Sequence, residues 1–334
     1  MKTLYLHIGQ AKTGTTAIQH YCSQHKEQLS KLGLRYIRLG MDLYPHNHKA
    51  IHYALLAKSG GYPRDRNHLP MPFSVLLESL GSEIRESQNS KLLISFEGLA
   101  ALSQYAPRSI STLMQFRKRI LPHANIRIIY YIRDPMSLLV SNYNQRSKKQ
   151  GGIGPFLDFV MQSSDGVLDQ SLAYRFFASV FGRKNIIVKH YGELRGPEFI
   201  HDFLSTLGIQ FEETQDTQPA NPGLPESAVE LSRIRACIFN TQSHDDMSSI
   251  VMGDNRLSPE DLIAFTKRLT NINRNNRWLF RRHTSVSIKP IHIVDLILAE
   301  RRLNHNALAL HYIQNTPDLN QRWNEAMGQI GDKA

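Results

Sequence analysis

Cysteine is scarce in this chain: only Cys22 and Cys237 occur among 334 residues. Two cysteines exclude the dense disulfide framework of small secreted domains, and the helix-like, partly apolar surroundings of both predict reduced structural thiols. No run of 18 apolar residues is present, which argues against a membrane-spanning helix. The first residues read directly as a strand, without a charged region followed by a long apolar stretch, so the sequence predicts a cytoplasmic location.

Acidic residues are also few. The chain has 29 Asp and Glu against 40 Lys and Arg, a formal charge of +11. This excess favours an anionic partner such as a nucleotide, an acidic glycan, nucleic acid or anionic lipid, although solubility alone would also explain it. Two basic blocks, residues 115–150 and 267–289, are either solvated faces or the surroundings of an acidic cofactor or acceptor.

The order of apolar patterns indicates the fold class. Short apolar runs alternate with amphipathic helical patterns through residues 1–218, for example a helix over 17–32 followed by a strand at 34–37. Residues 219–225 contain three prolines, and helical patterns dominate beyond them. We therefore predict an α/β fold, with a P-loop-like parallel β-sheet flanked by helices in a core of residues 1–218. Residues 219–334 would form a mainly helical C-terminal extension packed on that core.

Residues 4–19, LYLHIGQAKTGTTAIQ, predict a strand, a tight turn and the start of a helix. Gly9 and Gly14 lack a Cβ atom where the backbone must curl, and the helix start offers free amides and a positive dipole end. Lys12 adds an ammonium within the curl. This is an anion site for phosphate or sulfate, unless the turn merely starts a helix. Its predicted ligands are Lys12, Thr13, Gly14, Thr15 and Thr16.

The nucleotide-binding P-loop, GxxxxGK[ST], is matched at every position of residues 9–16 but one. Thr15 stands where that motif has lysine, and Lys12 lies two residues before Gly14. A lysine inside the loop suits a donor other than Mg-ATP. The spelling KTGTT after an apolar strand resembles the 5′-phosphosulfate loop of sulfotransferases that use 3′-phosphoadenosine 5′-phosphosulfate (PAPS). The resemblance implies PAPS as co-substrate, Lys12 as a catalytic residue and no metal.

A second stretch agrees with this resemblance. Residues 126–132 predict a strand buried on both faces, Arg133 follows it, and Asp134-Pro135 opens a helix that carries Ser141. Arg133 and Ser141 match the pair that holds the 3′-phosphate in PAPS-dependent sulfotransferases; the alternative is a capping arginine and a helix-facing serine. Tyr191, after a strand at 185–190, matches a family tyrosine and would approach the adenine, or belong to the core.

Two residues are candidate general bases. Glu97 follows the apolar strand 91–96, and ligands of parallel sheets bind beyond the carboxyl ends of the strands. Glycan sulfotransferases often have a glutamate there, but Glu97 would otherwise cap the next helix or serve an NTPase metal. His52, the second choice, lies in the His/Tyr/Arg-rich segment 40–72, which predicts a loop over the active site or a solvated loop. A metal site in this segment is the weaker alternative because no Cys or carboxylate cluster joins the histidines.

The resemblance covers residues 1–210 and, more loosely, a tail like those of bacterial glycan and surface-polysaccharide sulfotransferases. The chain departs from the family at Ala11, where many relatives have proline, and at Ala17, where the animal cytosolic branch has an aromatic residue. It also has no clear RKG motif of the kind that binds the adenine and phosphate near the C-terminus; only the basic residues 281–283 could take its place. The resemblance implies sulfuryl transfer to a carbohydrate hydroxyl, with no nucleic acid as partner. A P-loop kinase or NTPase and a non-catalytic polyanion-binding protein remain as alternatives.

Overall fold

The computed structural model describes residues 1–61, 70–105, 107–150, 154–192, 194, 196–210 and 259–304. Five strands form one sheet: β1 (Lys2–His7), β2 (Leu34–Tyr36), β3 (Lys91–Ser95), β4 (Ala124–Ile132) and β5 (Ile186–His190). Their order is β2-β3-β1-β4-β5, and every neighbouring pair is parallel. The predicted parallel α/β architecture is confirmed.

The strands of the sheet are rich in apolar residues, and most of their side chains are buried. Every residue of β4 from Ile128 to Ile132 is buried, and so is β1 from Leu4 to His7. Strands with two buried faces are expected in a parallel sheet, whose crossover helices lie on both sides. The central position of β1 therefore fixes the backbone from which the following loop starts.

Helices connect these strands and make up most of the remaining described structure. Those before β5 are α1 (Thr15–Gln24), α2 (Lys26–Lys31), α3 (Lys49–Lys58), α4 (Phe73–Glu86), α5 (Arg108–Ile120), α6 (Pro135–Gln150), α7 (Phe156–Gln162), α8 (Asp165–Leu168) and α9 (Gln170–Phe181). Later helices are α10 (Gly196–Thr206), α11 (Pro259–His283) and α12 (Ile293–Asn304). Residues Glu97–Tyr105 and Arg183–Asn185 are 3₁₀ helices.

The described residues form two compact units. The first contains the sheet and comprises residues 1–134, 170–210 and 279–286. The second is helical and comprises residues 135–169, 259–278 and 287–304. Segment 135–169 belongs to this second unit because Leu139 and Tyr143 of α6 share its apolar core with Phe156, Leu269 and Leu296. The predicted boundary between residues 218 and 219 lies outside the described residues and stays a prediction.

Two local predictions were wrong. The helix expected over 17–32 is divided into α1 and α2, because His25 leaves the helical conformation between them. Segment 40–72 was expected to be irregular, yet it contains α3, whose residues 50–56 are all buried. A helix buried all round lacks the amphipathic period from which a helix is predicted. Cys22 is buried and unpaired, as expected, and Cys237 lies outside the described residues.

Candidate functional site

The carboxyl ends of the parallel strands lie at one edge of the sheet, and the predicted site residues of the first unit follow neighbouring strands there. The loop 8–14 follows β1, Glu97 comes shortly after β3, and Arg133 directly follows β4. Since β1 lies between β3 and β4, the loop has Glu97 on one side and Arg133 on the other. Tyr191 follows β5, the next strand along. Ligand sites of such sheets form at this edge.

The loop 8–14 begins as an extension of β1. The amide of Ile8 donates to the carbonyl of Ile129 (3.0 Å), and the amide of Gln10 donates to that of Tyr131 (3.2 Å). The turn that follows has three residues with positive φ: Gly9 (40°), Lys12 (69°) and Gly14 (74°). Helix α1 then begins at Thr15. A curled backbone that leads into a helix N-terminus presents amide donors to an anion, as the sequence predicts.

Close packing around the loop requires both glycines. A Cβ atom on Gly9 would lie 2.7 Å from Oγ1 of Thr15, and one on Gly14 would lie 2.5 Å from the ring of Phe199 and 2.8 Å from that of Tyr191. The positive φ of each glycine would strain any other residue as well. The loop is thus packed against Thr15 of its own helix and against Phe199 of α10 and Tyr191.

The three threonines of the loop have different surroundings. Thr13 is buried, and its hydroxyl donates to the carbonyl of Gln10 (2.5 Å). The sequence predicts Thr13 as a ligand of the anion, but the proton of its hydroxyl is used within the loop and is not available to a ligand in this conformation. Thr15 is buried with an Oγ1 that has no partner among the described residues, whereas Thr16 is exposed.

His7, the last residue of β1, lies beneath the loop and was missed by the sequence analysis. Its Nδ1 is 2.8 Å from Oγ of Ser95 on β3, and its Nε2 has no hydrogen-bond partner in the described part of the chain. A Cβ atom on Gly9 would lie 3.5 Å from this Nε2. Complete burial lowers the pKa of His7 to about 3, so the imidazole is neutral at neutral pH. The sequence feature that could have pointed to His7 is the presence of a histidine in an otherwise apolar strand.

Arg133 is connected to the loop. Its Nη1 donates to the carbonyl of Lys12 (2.9 Å), the one described non-glycine residue with positive φ. The backbone of Arg133 is fixed by fully buried Gln170 at the start of α9: the Arg133 amide donates to Oε1 (2.9 Å), and Nε2 donates to the Arg133 carbonyl (2.7 Å). Gln170 gave no sequence signal because its partner is 37 residues away.

Tyr191 lies beside Arg133. Its amide donates to the carbonyl of Ile132 (2.7 Å), and its ring centroid is 5.5 Å from Cζ of Arg133. The same ring packs edge-on against Phe199 at 5.1 Å. The guanidinium is therefore placed near an aromatic face in addition to the loop. The proximity of Tyr191 to an adenine stays a prediction.

Glu97 is joined to helix α1 by a side-chain hydrogen bond. Nε2 of buried Gln19 donates to Oε2 of Glu97 (3.1 Å) and is also 3.3 Å from the carbonyl of Ser95. Glu97 begins the 3₁₀ helix Glu97–Tyr105 and is half-buried. One carboxylate oxygen is thus oriented by the element that starts at the anion loop, which is a suitable arrangement for a positioned base.

His52 lies in helix α3 rather than in a loop. It is 7% exposed, its Nδ1 has no partner among the described residues, and its ring is 5.2 Å from that of Phe96, the residue before Glu97. Burial, with a smaller effect from Lys49, lowers the pKa of His52 to about 4. His52 is therefore neutral at neutral pH and close to the Glu97 segment, so the choice between the two bases stays open.

Ser141 lies in α6 of the second unit and is half-buried. The other predicted residues, namely Lys12, Thr13, Gly14, Thr15, Thr16, His52, Glu97, Arg133 and Tyr191, all belong to the first unit. Among the described residues, no group of three or more His, Cys, Asp or Glu side chains is arranged to hold a metal ion. No described helix is long and apolar enough to cross a membrane.

Comparison with known proteins gives a likeness at the level of structure. No protein-family model matches the chain, and no curated protein matches its sequence. Among solved structures, the chain is similar to the crystal structure of a sulfotransferase from Alicyclobacillus acidocaldarius, with 14% sequence identity and a TM-score of 0.42. The match covers 86% of this chain and 98% of that chain.

Proposed function

We propose that this protein is a PAPS-dependent sulfotransferase that transfers a sulfuryl group to a hydroxyl of an acceptor, most suitably a carbohydrate. One observation carries the proposal: Nη1 of Arg133 donates to the backbone carbonyl of Lys12 over 2.9 Å, so the loop after β1 and the end of β4 meet beside a helix N-terminus. A guanidinium next to such a loop suits a ligand with two separate anionic groups, one at each end of a nucleoside. The cytoplasmic location expected from the sequence is part of this proposal.

The residues present fit such a ligand. The underside of the loop has two buried polar atoms without described partners, Oγ1 of Thr15 and Nε2 of His7. A buried polar atom left unpaired is costly, so a bound anion that reaches these atoms would recover part of that cost. Gly14, with its positive φ, directs the chain into helix α1, whose first amides would face the anion. PAPS supplies an activated sulfuryl group attached to a phosphate leaving group.

In this proposal each residue has a distinct role. Lys12, the hydroxyls of Thr15 and Thr16 and the loop amides, including that of Thr13, stabilise the charge that develops on the sulfuryl group and the leaving phosphate. Glu97 takes the proton of the acceptor hydroxyl while its oxygen bonds to sulfur and the sulfur–oxygen bond to the 5′-phosphate breaks. His52 is the second candidate for this base. Arg133 selects the 3′-phosphorylated nucleotide, and Tyr191 contacts the adenine. The role that the sequence predicts for Ser141 in the same selection stays a prediction.

Two other functions make different predictions. A P-loop kinase or NTPase would bind Mg-ATP, but Thr15 replaces the lysine that follows the second glycine in that motif. A non-catalytic polyanion-binding protein would use the basic blocks alone and would not depend on Glu97. The carboxylate held by Gln19 at the edge of the sheet favours the enzyme.

The proposal is tested by calorimetric titration of the metal-free protein with 3′-phosphoadenosine 5′-phosphate (PAP), AMP and, separately, Mg-ATP. We expect PAP to bind at least about tenfold more tightly than AMP, because charge-assisted contacts to the 3′-phosphate are lost in AMP. Arg133→Ala should remove this preference. Preference for Mg-ATP would replace the proposal by a kinase, and binding of polyanions but of no nucleotide would replace it by the polyanion-binding protein.

A further inference from the structure

The unusual backbone conformation of Lys12 is stabilised by a hydrogen bond from Arg133. Lys12 has φ of 69°, in the left-handed region that non-glycine residues seldom adopt. Nη1 of Arg133 donates to its carbonyl oxygen over 2.9 Å. A hydrogen bond from a charged donor is stronger than one from a neutral amide. The contact is therefore suited to hold the loop residue that carries the predicted catalytic ammonium.

Arg133 is itself held in place by a hydrogen-bonded connection that returns to the loop. The side chain of Gln170 bonds both the amide and the carbonyl of Arg133. The hydroxyl of Tyr130 is 3.0 Å from the Gln170 carbonyl and 3.1 Å from Oε1 of Gln10, whose own carbonyl accepts the hydroxyl of Thr13. Gln170 and Tyr130 are fully buried, so water does not compete for these bonds.

We propose that Arg133 has a second role: it is a positioning residue that keeps Lys12 in the anion-binding conformation, and Gln170 in turn positions Arg133. The inference rests on the proposed function. It adds that Arg133 contributes to binding at the 5′-phosphosulfate end of the nucleotide, even when the ligand has no 3′-phosphate. Without the Arg133 contact, Lys12 relaxes toward negative φ, and the amides and ammonium of the loop no longer converge on one anion.

The decisive ligand is adenosine 5′-phosphosulfate, which has the 5′ group but no 3′-phosphate. Calorimetry of this ligand with wild type and Arg133→Ala separates the two roles of Arg133. We expect the Kd to rise about tenfold or more in Arg133→Ala, the size of one lost charge-assisted contact. Arg127→Ala is the matched control, because it also removes a positive charge but lies within β4, six residues before Arg133; its Kd should stay within about twofold of wild type.

A double-variant comparison shows whether the effect passes through Lys12. Lys12→Gly and Lys12→Ala both lack the ammonium, but only glycine adopts positive φ without strain. We therefore expect Arg133→Ala to weaken binding of adenosine 5′-phosphosulfate less in the Lys12→Gly background than in the Lys12→Ala background. Gln170→Leu should weaken binding severalfold with Arg133 still present. Thermal unfolding of each variant separates these effects from loss of the fold.

The outcomes distinguish this inference from the proposed function. If Arg133→Ala leaves the Kd of adenosine 5′-phosphosulfate unchanged, or if the two Lys12 backgrounds respond equally, the positioning role is wrong. If PAP and AMP bind wild type equally, the 3′-phosphate role fails, while the effect of Arg133 on the 5′ end is still measured. If wild type prefers Mg-ATP, the proposed function is wrong, and an unchanged Kd for Mg-ATP in Arg133→Ala would overturn the positioning role as well. Absence of any nucleotide binding by wild type overturns both.

Discussion

At the scale of single residues, the site depends on side chains whose partners fix their direction. Glu97 is oriented by Gln19, and Arg133 by Gln170. Thr13 uses its hydroxyl proton within the loop, so this proton is not available to a ligand. Residue identity in a motif therefore predicts which elements meet, but the hydrogen bonds decide which atoms remain for a ligand.

Replacing Glu97 by Gln tests the catalytic base. The substitution keeps the shape of the side chain and removes its capacity to accept a proton, so we expect kcat to fall by about 10²–10⁴-fold. PAP affinity, measured by calorimetry, should change by less than about twofold because the nucleotide is bound by other groups. Glu86→Gln, an exposed carboxylate of α4, is the control. Full turnover by Glu97→Gln would transfer the role to His52.

Replacing His7 by Phe tests whether this residue serves the stability of the fold or the binding of a nucleotide. Phenylalanine at this position would keep the ring contacts to Tyr131 and Phe203 and would remove the unpartnered Nε2, at the cost of the Ser95 hydrogen bond. These terms oppose each other, so we expect His7→Phe to change the free energy of unfolding by less than about 1 kcal/mol. Nucleotide affinity should nevertheless fall severalfold if Nε2 serves the bound loop. Unchanged affinity by calorimetry would assign His7 to the core alone.

At the scale of elements, the strand-loop-helix unit of residues 2–24 contains the predicted anion site. Its strand is tied to β4 past its own end, and its helix begins directly after Gly14. The rings of Phe199 and Tyr191 surround the position where Gly14 would carry a side chain. The loop conformation is thus a property of several elements and not of the local sequence alone.

Gly14→Ala tests this packing. The new Cβ atom would lie 2.5 Å from the Phe199 ring at a φ of 74°. Gly33→Ala is the matched control, since Gly33 has a φ of 89° but a Cβ atom there would meet no other atom within 4 Å. We expect the control to lose about 1 kcal/mol of unfolding free energy from backbone strain alone, and Gly14→Ala to lose more because overpacking adds about 1–3 kcal/mol.

Denaturant unfolding measures both glycine variants, and calorimetry measures PAP binding. Gly14→Ala should lose nucleotide binding, whereas Gly33→Ala should retain it. Equal stability losses in the two variants would mean that the contact with Phe199 relaxes without cost. Retained nucleotide affinity in Gly14→Ala would contradict the assigned position of the anion.

The sequence predicts the sheet and the edge at which the site lies, because both follow from local patterns. Buried strands such as β4 read as continuous apolar runs, and parallel strands place their carboxyl ends together. The bonds that hold the loop could not be predicted, since Tyr130 and Gln10 are 120 residues apart in the sequence. Helix α3 was missed for a related reason: its residues are buried on every side, so its sequence carries no amphipathic signal.

At the scale of the whole molecule, several neutral histidines are buried in the folded first unit. Burial lowers the pKa of His7 to about 3 and that of His48 and His52 to about 4. His48 also accepts the amide of Ser95 at Nδ1 (3.0 Å), and its Nε2 is 2.9 Å from the carbonyl of Ile37. Because the unfolded chain binds protons at these histidines near their ordinary pKa, unfolding takes up protons at mildly acidic pH.

The resulting pH dependence has a definite sign. The stabilisation is fully present above the unfolded pKa of about 6.5 and is lost as pH falls from there toward about 4. Each of the three histidines should lower the free energy of unfolding by about 1.4 kcal/mol per pH unit within that window. Urea unfolding between about pH 7 and pH 5 measures the slope. His48→Gln should reduce it by about one proton, and equal stability at the two pH values would contradict the prediction.

The strand order has a consequence for synthesis. Strand β1 leaves the ribosome before both of its neighbours in the sheet, β3, which begins at Lys91, and β4, which begins at Ala124. A central strand whose partners are distant in the sequence pairs slowly, and its apolar surface stays exposed until they have been made. Protease protection of arrested nascent chains should therefore be absent from β1 until β4 has emerged. Since Gln170 follows later still, the loop after β1 gains its supporting contacts long after it is made, and a chaperone that shields it would govern the yield of active protein.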